Sequence, residues 1–201
     1  MRHHSLILPA LLLLGIAAAQ ETLYAPAPPA GSAFVRVANA DAATAVTLDG
    51  KATFRPGAQA VSAYVVVPQG AHTFRAGSAT LRVNVAGGQY QTLVLQGGKL
   101  RALDAELPGT VTRARLTLYN FSDAPASLMT ADGRTRLLTD VPAGSVKSLS
   151  VNAVSAALGV FAADKPVQTF PTEALRAGAS YSAFVFGAHA DRTAVFVTPG
   201  K

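Results

Sequence analysis

The feature that most constrains this chain is that its second half repeats its first. Val35-Arg36-Val37-Ala38-Asn39 returns as Leu116-Thr117-Leu118-Tyr119-Asn120, and Asp49-Gly50-Lys51 returns as Asp132-Gly133-Arg134. The turn glycine of Arg55-Pro56-Gly57-Ala58 is matched in Pro142-Ala143-Gly144-Ser145. Ala86-Gly87-Gly88-Gln89-Tyr90 is matched by Ala177-Gly178-Ala179-Ser180-Tyr181. The spacing grows from 81 residues at the Asn pair to 91 at the Tyr pair, so the second copy carries insertions. Two copies are too few for a solenoid. The repeat therefore predicts two tandem domains of like topology.

Within each copy the apolar residues alternate with a period of two, and no window of helical length keeps a 3.6-residue stripe. The first copy predicts strands at 34–39, 45–48, 51–54, 62–67, 72–76, 79–85 and 90–96. The second predicts them at 114–120, 126–130, 135–139, 146–151, 157–162, 167–170, 181–186 and 193–198. Short strands parted by turn signals every 8 to 12 residues point to β-sandwiches, and Asp49-Gly50 supplies hairpin chemistry because Gly accepts positive φ. The fold class expected is all-β, two tandem β-sandwich domains at 33–107 and 113–201, joined by a linker at 108–112 around Pro108-Gly109. So short a linker leaves the domains packed together or moving within a narrow range.

The N-terminus reads as a targeting signal. Arg2 gives a positive start, residues 6–18 are apolar, and Ala17-Ala18-Ala19 offers small residues for cleavage before Gln20. The apolar run is shorter than the roughly 20 residues a spanning helix needs. Cleavage near Ala19 of the 1–19 leader, a periplasmic destination and a product that is not a transmembrane protein are the expectations. Residues 20–32 hold Pro26, Pro28 and Pro29, which favour an extended polyproline-like arm. Loss of Arg2 lowers the formal net charge from +6 to +5. That balance favours acidic partners, but the basic residues form no dense run and read first as a solvated basic surface.

Chemistry is sparse. The chain has no cysteine, which removes thiol nucleophiles, thiolate metal sites and disulfides together. Beyond the leader only His72 and His189 remain, so no metal and no cofactor is expected. His189, two residues before Asp191, reads as a polar turn because no Ser or Cys elbow precedes it, and His72 at the head of a strand reads as structural. Asp104 and Glu106 precede the Pro-Gly break and read as solvated linker residues, whereas Asp49 and Asp132 read as local turn caps. Gly87-Gly88 and Gly97-Gly98 introduce strands, not helices, and are no phosphate loop. Basic residues are not interleaved with aromatics, so nucleic acid is not an expected partner.

Leu23-Tyr24-Ala25-Pro26, followed by Pro29-Ala30-Gly31-Ser32-Ala33-Phe34-Val35-Arg36-Val37-Ala38-Asn39-Ala40, resembles the mature opening of the AlgF family of alginate O-acetylation accessory proteins. The likeness continues more loosely through the Asp-Gly turn and Leu118-Tyr119-Asn120-Phe121-Ser122-Asp123. The resemblance implies a periplasmic, non-catalytic adaptor required for O-acetylation of an exopolysaccharide, alginate foremost. It would link a membrane O-acyltransferase to SGNH-like periplasmic acetyl transferases. Three alternatives stand beside that reading: an O-acetyltransferase in its own right using a Ser with His72 or His189, an accessory protein of cellulose acetylation, and direct binding of the anionic polysaccharide. No catalytic residue is assigned. The candidates for partner or polymer contact are Tyr24 in the arm, Arg36 projecting from an otherwise apolar strand, and Lys99, Arg101 and Arg113.

Overall fold

The computed structural model describes residues 27–106 and 109–199. The leader with its cleavage site, Tyr24 and most of the Pro-rich arm lie outside the described residues. The first copy folds as nine strands: β1 (Ser32–Asn39), β2 (Val46–Leu48), β3 (Lys51–Phe54), β4 (Ala60–Val61), β5 (Val65–Pro68), β6 (Gly70–Ala76), β7 (Ala79–Val85), β8 (Tyr90–Gln96) and β9 (Lys99–Ala102). One sheet runs β4-β1-β8-β9, with β5 also paired to β1, and the other runs β3-β2-β6-β7.

The second copy has β10 (Arg113–Ser122), β11 (Ala126–Thr130), β12 (Arg136–Val141), β13 (Val146–Asn152), β14 (Ser155–Ala156), β15 (Leu158–Ala162), β16 (Lys165–Thr169), β17 (Glu173–Ala174), β18 (Ser180–Gly187) and β19 (Thr193–Val197), with a 3-10 turn at His189–Asp191. Its sheets, β13-β10-β18-β19 and β12-β11-β15-β16, follow the plan of the first copy, and β14 pairs with β17 as an addition. In both copies the central pair is parallel, Phe34–Asn39 alongside Tyr90–Leu95 and Arg115–Ser122 alongside Ser180–Gly187. The fold is all-β, two tandem sandwiches of one topology.

The alternation read in the sequence sets which face is inside. Val35, Val37, Leu93 and Leu95 point from β1 and β8 onto Phe54, Phe74 and Val85 of the opposite sheet. Leu116, Leu118, Ala183 and Val185 meet Leu128, Leu138 and Val160 in the same way. Each large side chain contributes roughly 1.5–3 kcal/mol on leaving water, and a register slip of one residue would expose the whole set. Burial therefore fixes the pairing.

The repeated asparagine has a definite task. Asn39 Nδ2 donates to the carbonyls of Ala42 and Gly57, both at 2.9 Å, while its Oδ1 accepts from the Asp41 amide. Asn120 Nδ2 donates to Ala124 and Val141, at 2.7 and 2.8 Å, and its Oδ1 accepts from the Ser122 amide. Each asparagine, itself fully buried, clamps the loop leaving its strand to the segment opposite, and so satisfies its own amide group where water cannot reach it.

Three expectations change. The strand expected over 62–67 begins only at Val65, as β5, and residues 62–64 form a break after β4, where the Ser62 hydroxyl takes the Val37 amide in place of a backbone carbonyl. The strand that Gly97-Gly98 introduces, β9, lies beyond the ranges predicted for the first copy: both glycines have positive φ, 58° and 69°, and turn the chain into it. Asp49 does more than cap its own turn, since it accepts from the Thr73 amide and meets His72 at 2.7 Å across the sheet.

Candidate functional site between the domains

The outward faces of the two parallel-centred sheets pack against each other. Ala38, Val94 and Leu103 from the first copy join Tyr119, Phe121, Phe184 and Phe186 from the second in one buried cluster. The Tyr119 and Phe184 rings stack at 4.4 Å between centroids, and Phe184 stacks on Phe186 at 6.2 Å. Two polar contacts border this seam: Gln96 donates to the Phe121 carbonyl at 3.1 Å and Thr193 to Gln59 at 2.7 Å.

Arg36 lies at the centre, 1% exposed. It leaves β1 on the face opposite Val35 and Val37, which turns its side chain away from its own core and into the second domain. Nε donates to Thr92 Oγ1 at 2.9 Å, and one terminal nitrogen donates to Ser182 Oγ at 2.9 Å and to Glu106 Oε1 at 2.5 Å. Thr92 donates to the same carboxylate oxygen. Tyr64 and Phe184 present ring faces to the guanidinium at 4.7 and 4.8 Å, with Tyr119 at 5.7 Å. A buried cation needs this much compensation, because an ion taken from water without partners costs several kcal/mol.

Glu106 is the counter-ion, its side chain 10% exposed. Burial alone would raise its pKa. The Arg36 charge and the bonds from Thr92 and Tyr119 outweigh burial and hold the carboxyl below its ordinary value. Burial likewise pushes the phenols of Tyr64 and Tyr119 upward, so both stay neutral. The Tyr64 hydroxyl is buried beside Glu106 and adds to the forces that hold that carboxyl ionised.

Beside the seam opens a cleft of about 450 Å³, lined among others by Arg101, Asp104, Glu106, Arg115, Tyr119 and Ser148. Its wall comes from β9 and the segment after it on one side and from β10 and β13 on the other.

The candidates from sequence are thus scattered. Arg36 is not a surface contact, because its charge is spent inside the molecule. Arg101 borders the cleft, reaching the Gly144 carbonyl at 3.5 Å, while Lys99 and Arg113 are exposed on β9 and β10 and do not line it. Tyr24 lies outside the described residues. Glu106, expected as a solvated linker residue, proves to be largely covered, its side chain 10% exposed. Sequence reasoning missed it along with Thr92, Tyr119 and Ser182. The available signal was Arg36 itself, since a cation in an apolar strand requires an acid somewhere.

The histidines are committed elsewhere. His72 offers Nδ1 to Asp49 Oδ2 at 2.7 Å and Nε2 to the Pro68 carbonyl at 2.8 Å. Two acceptors flank the ring, so both nitrogens donate and the imidazolium is favoured; burial opposes this, but Asp49 and Pro68 outweigh it and raise the pKa. His189 is exposed and faces Asp123 at 3.4 Å, where Arg192 also binds at 2.7 Å. Among the described residues no cluster of three metal-ligating side chains occurs.

A pair of like sandwiches welded face to face through one buried ion pair defines the class: a two-domain all-β protein whose charged interior is structural. The chain belongs to the AlgF family, whose profile, described as alginate O-acetyl transferase AlgF, matches residues 5–182. The alginate biosynthesis protein AlgF of Pseudomonas putida is 33% identical over 184 residues, covering 90% of this chain and 86% of that protein. The protein of the same name from Pseudomonas aeruginosa is 32% identical over 203 residues, covering 98% and 94%. Among solved structures, the C-terminal domain of AlgF from P. aeruginosa is 28% identical with a TM-score of 0.40, covering 43% of this chain and 98% of that one.

Proposed function

We propose that this protein is a periplasmic, non-catalytic adaptor in the O-acetylation of alginate, delivered there by cleavage near Ala19. It would link a membrane O-acyltransferase to SGNH-like acetyl transferases of the same pathway. Alginate is the polymer favoured because the relatives are named alginate biosynthesis proteins. The observation that carries the adaptor reading is the fate of the ionisable groups. Arg36, Glu106 and His72 have their hydrogen-bonding atoms turned onto other protein groups, which leaves them to hold architecture and not to move protons for a substrate. Domains at 33–107 and 113–201 would then act as one body, and Lys99, Arg101 and Arg113 would remain available for contact with partners or anionic polymer.

The family name favours a second reading, transfer of the acetyl group by this chain itself. Incubating the purified mature protein with an acetyl-donor ester and mannuronate oligomers separates the two. The adaptor reading expects no ester turnover, together with co-purification of the pathway's acetyl transferases. Turnover that His189→Ala or His72→Gln abolishes would replace it with the enzymatic reading.

A further inference from the structure

The outer face of the sheet β3-β2-β6-β7 carries an unbalanced positive charge. Phe54 and Phe74 point into the core, so Arg55 and Arg75, next to them in sequence, are exposed on the other side. Arg75 lies opposite Thr80 and Arg82 opposite Thr73, which makes the two arginines diagonal neighbours, with Thr47 across from Arg75 on the other flank. None of the three arginines pairs with a carboxylate among the described residues. The nearby acid, Asp49, is already held by His72 and the Thr73 amide.

The corresponding sheet of the second copy differs. There Arg136 is paired with Asp164 at 3.0 Å, and Met129 and Phe161 are buried. On that second sheet Lys165 is the one strand cation without a carboxylate among the described residues, against Arg75 and Arg82 together on the first.

The geometry points to this face as a seat for an anionic phospholipid surface. Guanidinium groups fork onto phosphate oxygens, and the neighbouring threonine hydroxyls can donate to the same groups. An open sheet face presenting Arg75 and Arg82, with Arg55 just past the end of β3, suits a planar array of headgroups. No aromatic ring stands on the face to stack a sugar, which argues against a glycan chain as its occupant. The inference is independent of the adaptor reading: a catalytic protein could dock in the same way.

The test is co-sedimentation of the full mature protein with vesicles of phosphatidylcholine alone, or with about a third phosphatidylglycerol. Binding is expected only to the anionic vesicles, and it should weaken steeply as salt shortens the screening length. Each arginine is expected to matter by about fivefold, so Arg55→Gln, Arg75→Gln and Arg82→Gln together lower the partition coefficient by a factor of roughly a hundred. Replacing Arg134, Arg136 and Lys165 by Gln removes as much charge from the second domain and should change binding less than fivefold. Thermal unfolding of both triple variants checks that they remain folded. Equal loss in the two variants would reduce the effect to net charge and overturn the proposal. So would binding to neutral vesicles, or binding of soluble alginate at this face with none to the anionic vesicles.

Discussion

Asn39 and Asn120 occupy the same corner of their sandwiches, yet three residues upstream the first copy has Arg36 and the second has Thr117. Register makes the contrast sharper. Arg36 lies beside Thr92 across the parallel pair β1 and β8, and Thr117 lies beside Ser182 across β10 and β18. Arg36 therefore bonds both Thr92 and that residue's counterpart in the other copy. Across the seam Arg36 of β1 reaches Ser182 of β18, and Gln96 of β8 reaches Phe121 of β10. A second arginine at position 117 would put two guanidinium groups in one small space, where like charges in a low-dielectric interior repel strongly. Positions that serve a domain's own core or corner could stay alike after duplication, whereas positions on the shared face had to become different.

The largest test of this asymmetry is at the ion pair. Arg36→Ala or Glu106→Gln should cost about 3–5 kcal/mol in urea unfolding, because each leaves a buried group without its partner. Thr117→Val should cost at most about 1 kcal/mol, having no charge to strand. If Arg36→Met combined with Glu106→Leu restored wild-type stability, the pair would be shown to specify the joint without strengthening it. Acid probes the same contact. Glu106 has its folded pKa below the ordinary 4.5, so its contribution is complete above that value and is lost as pH falls through the folded pKa. Small-angle scattering should register separation of the domains as pH falls below 4.5 and through the folded pKa, and Glu106→Gln should remove the pH step.

Next in size come the corners that the copies share. Asn39→Ala and Asn120→Ala should each cost about 2–3 kcal/mol, since each removes the several hydrogen bonds of a fully buried side chain at once. Unequal losses, read from urea midpoints, would break the equivalence of the two domains. Asp41, which accepts from the amides of Gly97 and Gly98 at 2.8 Å each, should give about 1 kcal/mol on replacement by Ala.

The smallest effect separates the domains by titration. His72 has a raised pKa, so its pairing with Asp49 stabilises fully below about pH 6.5 and is lost as pH rises through the folded value. The lowered pKa of Asp49 ends the benefit on the acid side. Hydrogen-exchange protection in β6, after correction for the intrinsic rise of amide exchange with pH, should therefore fall between neutral and alkaline pH while that of β15, its counterpart, does not change. His72→Gln should flatten the difference.

Much of the fold was legible because alternation is a local property. The limits of 79–85, 90–96 and 126–130 could be read off directly, and the repeated Asn announced two copies before any partner for it was known. What escaped was non-local. The partners of Arg36 lie 56, 70 and 146 residues away, and nothing near Glu106 in sequence marks it as buried. The break at Ser62 escaped for a related reason: a hydroxyl standing in for a carbonyl leaves an ordinary polar residue in an ordinary strand pattern. Arg36 was legible as an anomaly but not as an interior residue, because a strand in a lone sandwich has a wet outer face and this sheet has a second sandwich upon it.

The parallel pairing of β1 with β8, and of β10 with β18, also governs time. A hairpin can close as soon as its second strand exists, but these seams wait for a strand more than fifty residues downstream, and the bond from Arg36 to Ser182 waits for nearly the whole chain. Loops of such length make assembly slow. During refolding each sandwich should form first, followed by a later docking phase that depends on Arg36 and not on either asparagine. A chain emerging from its N-terminus would pair its first strand within the first hundred residues, yet leave the face that carries Arg36 uncovered until Ser182 had followed.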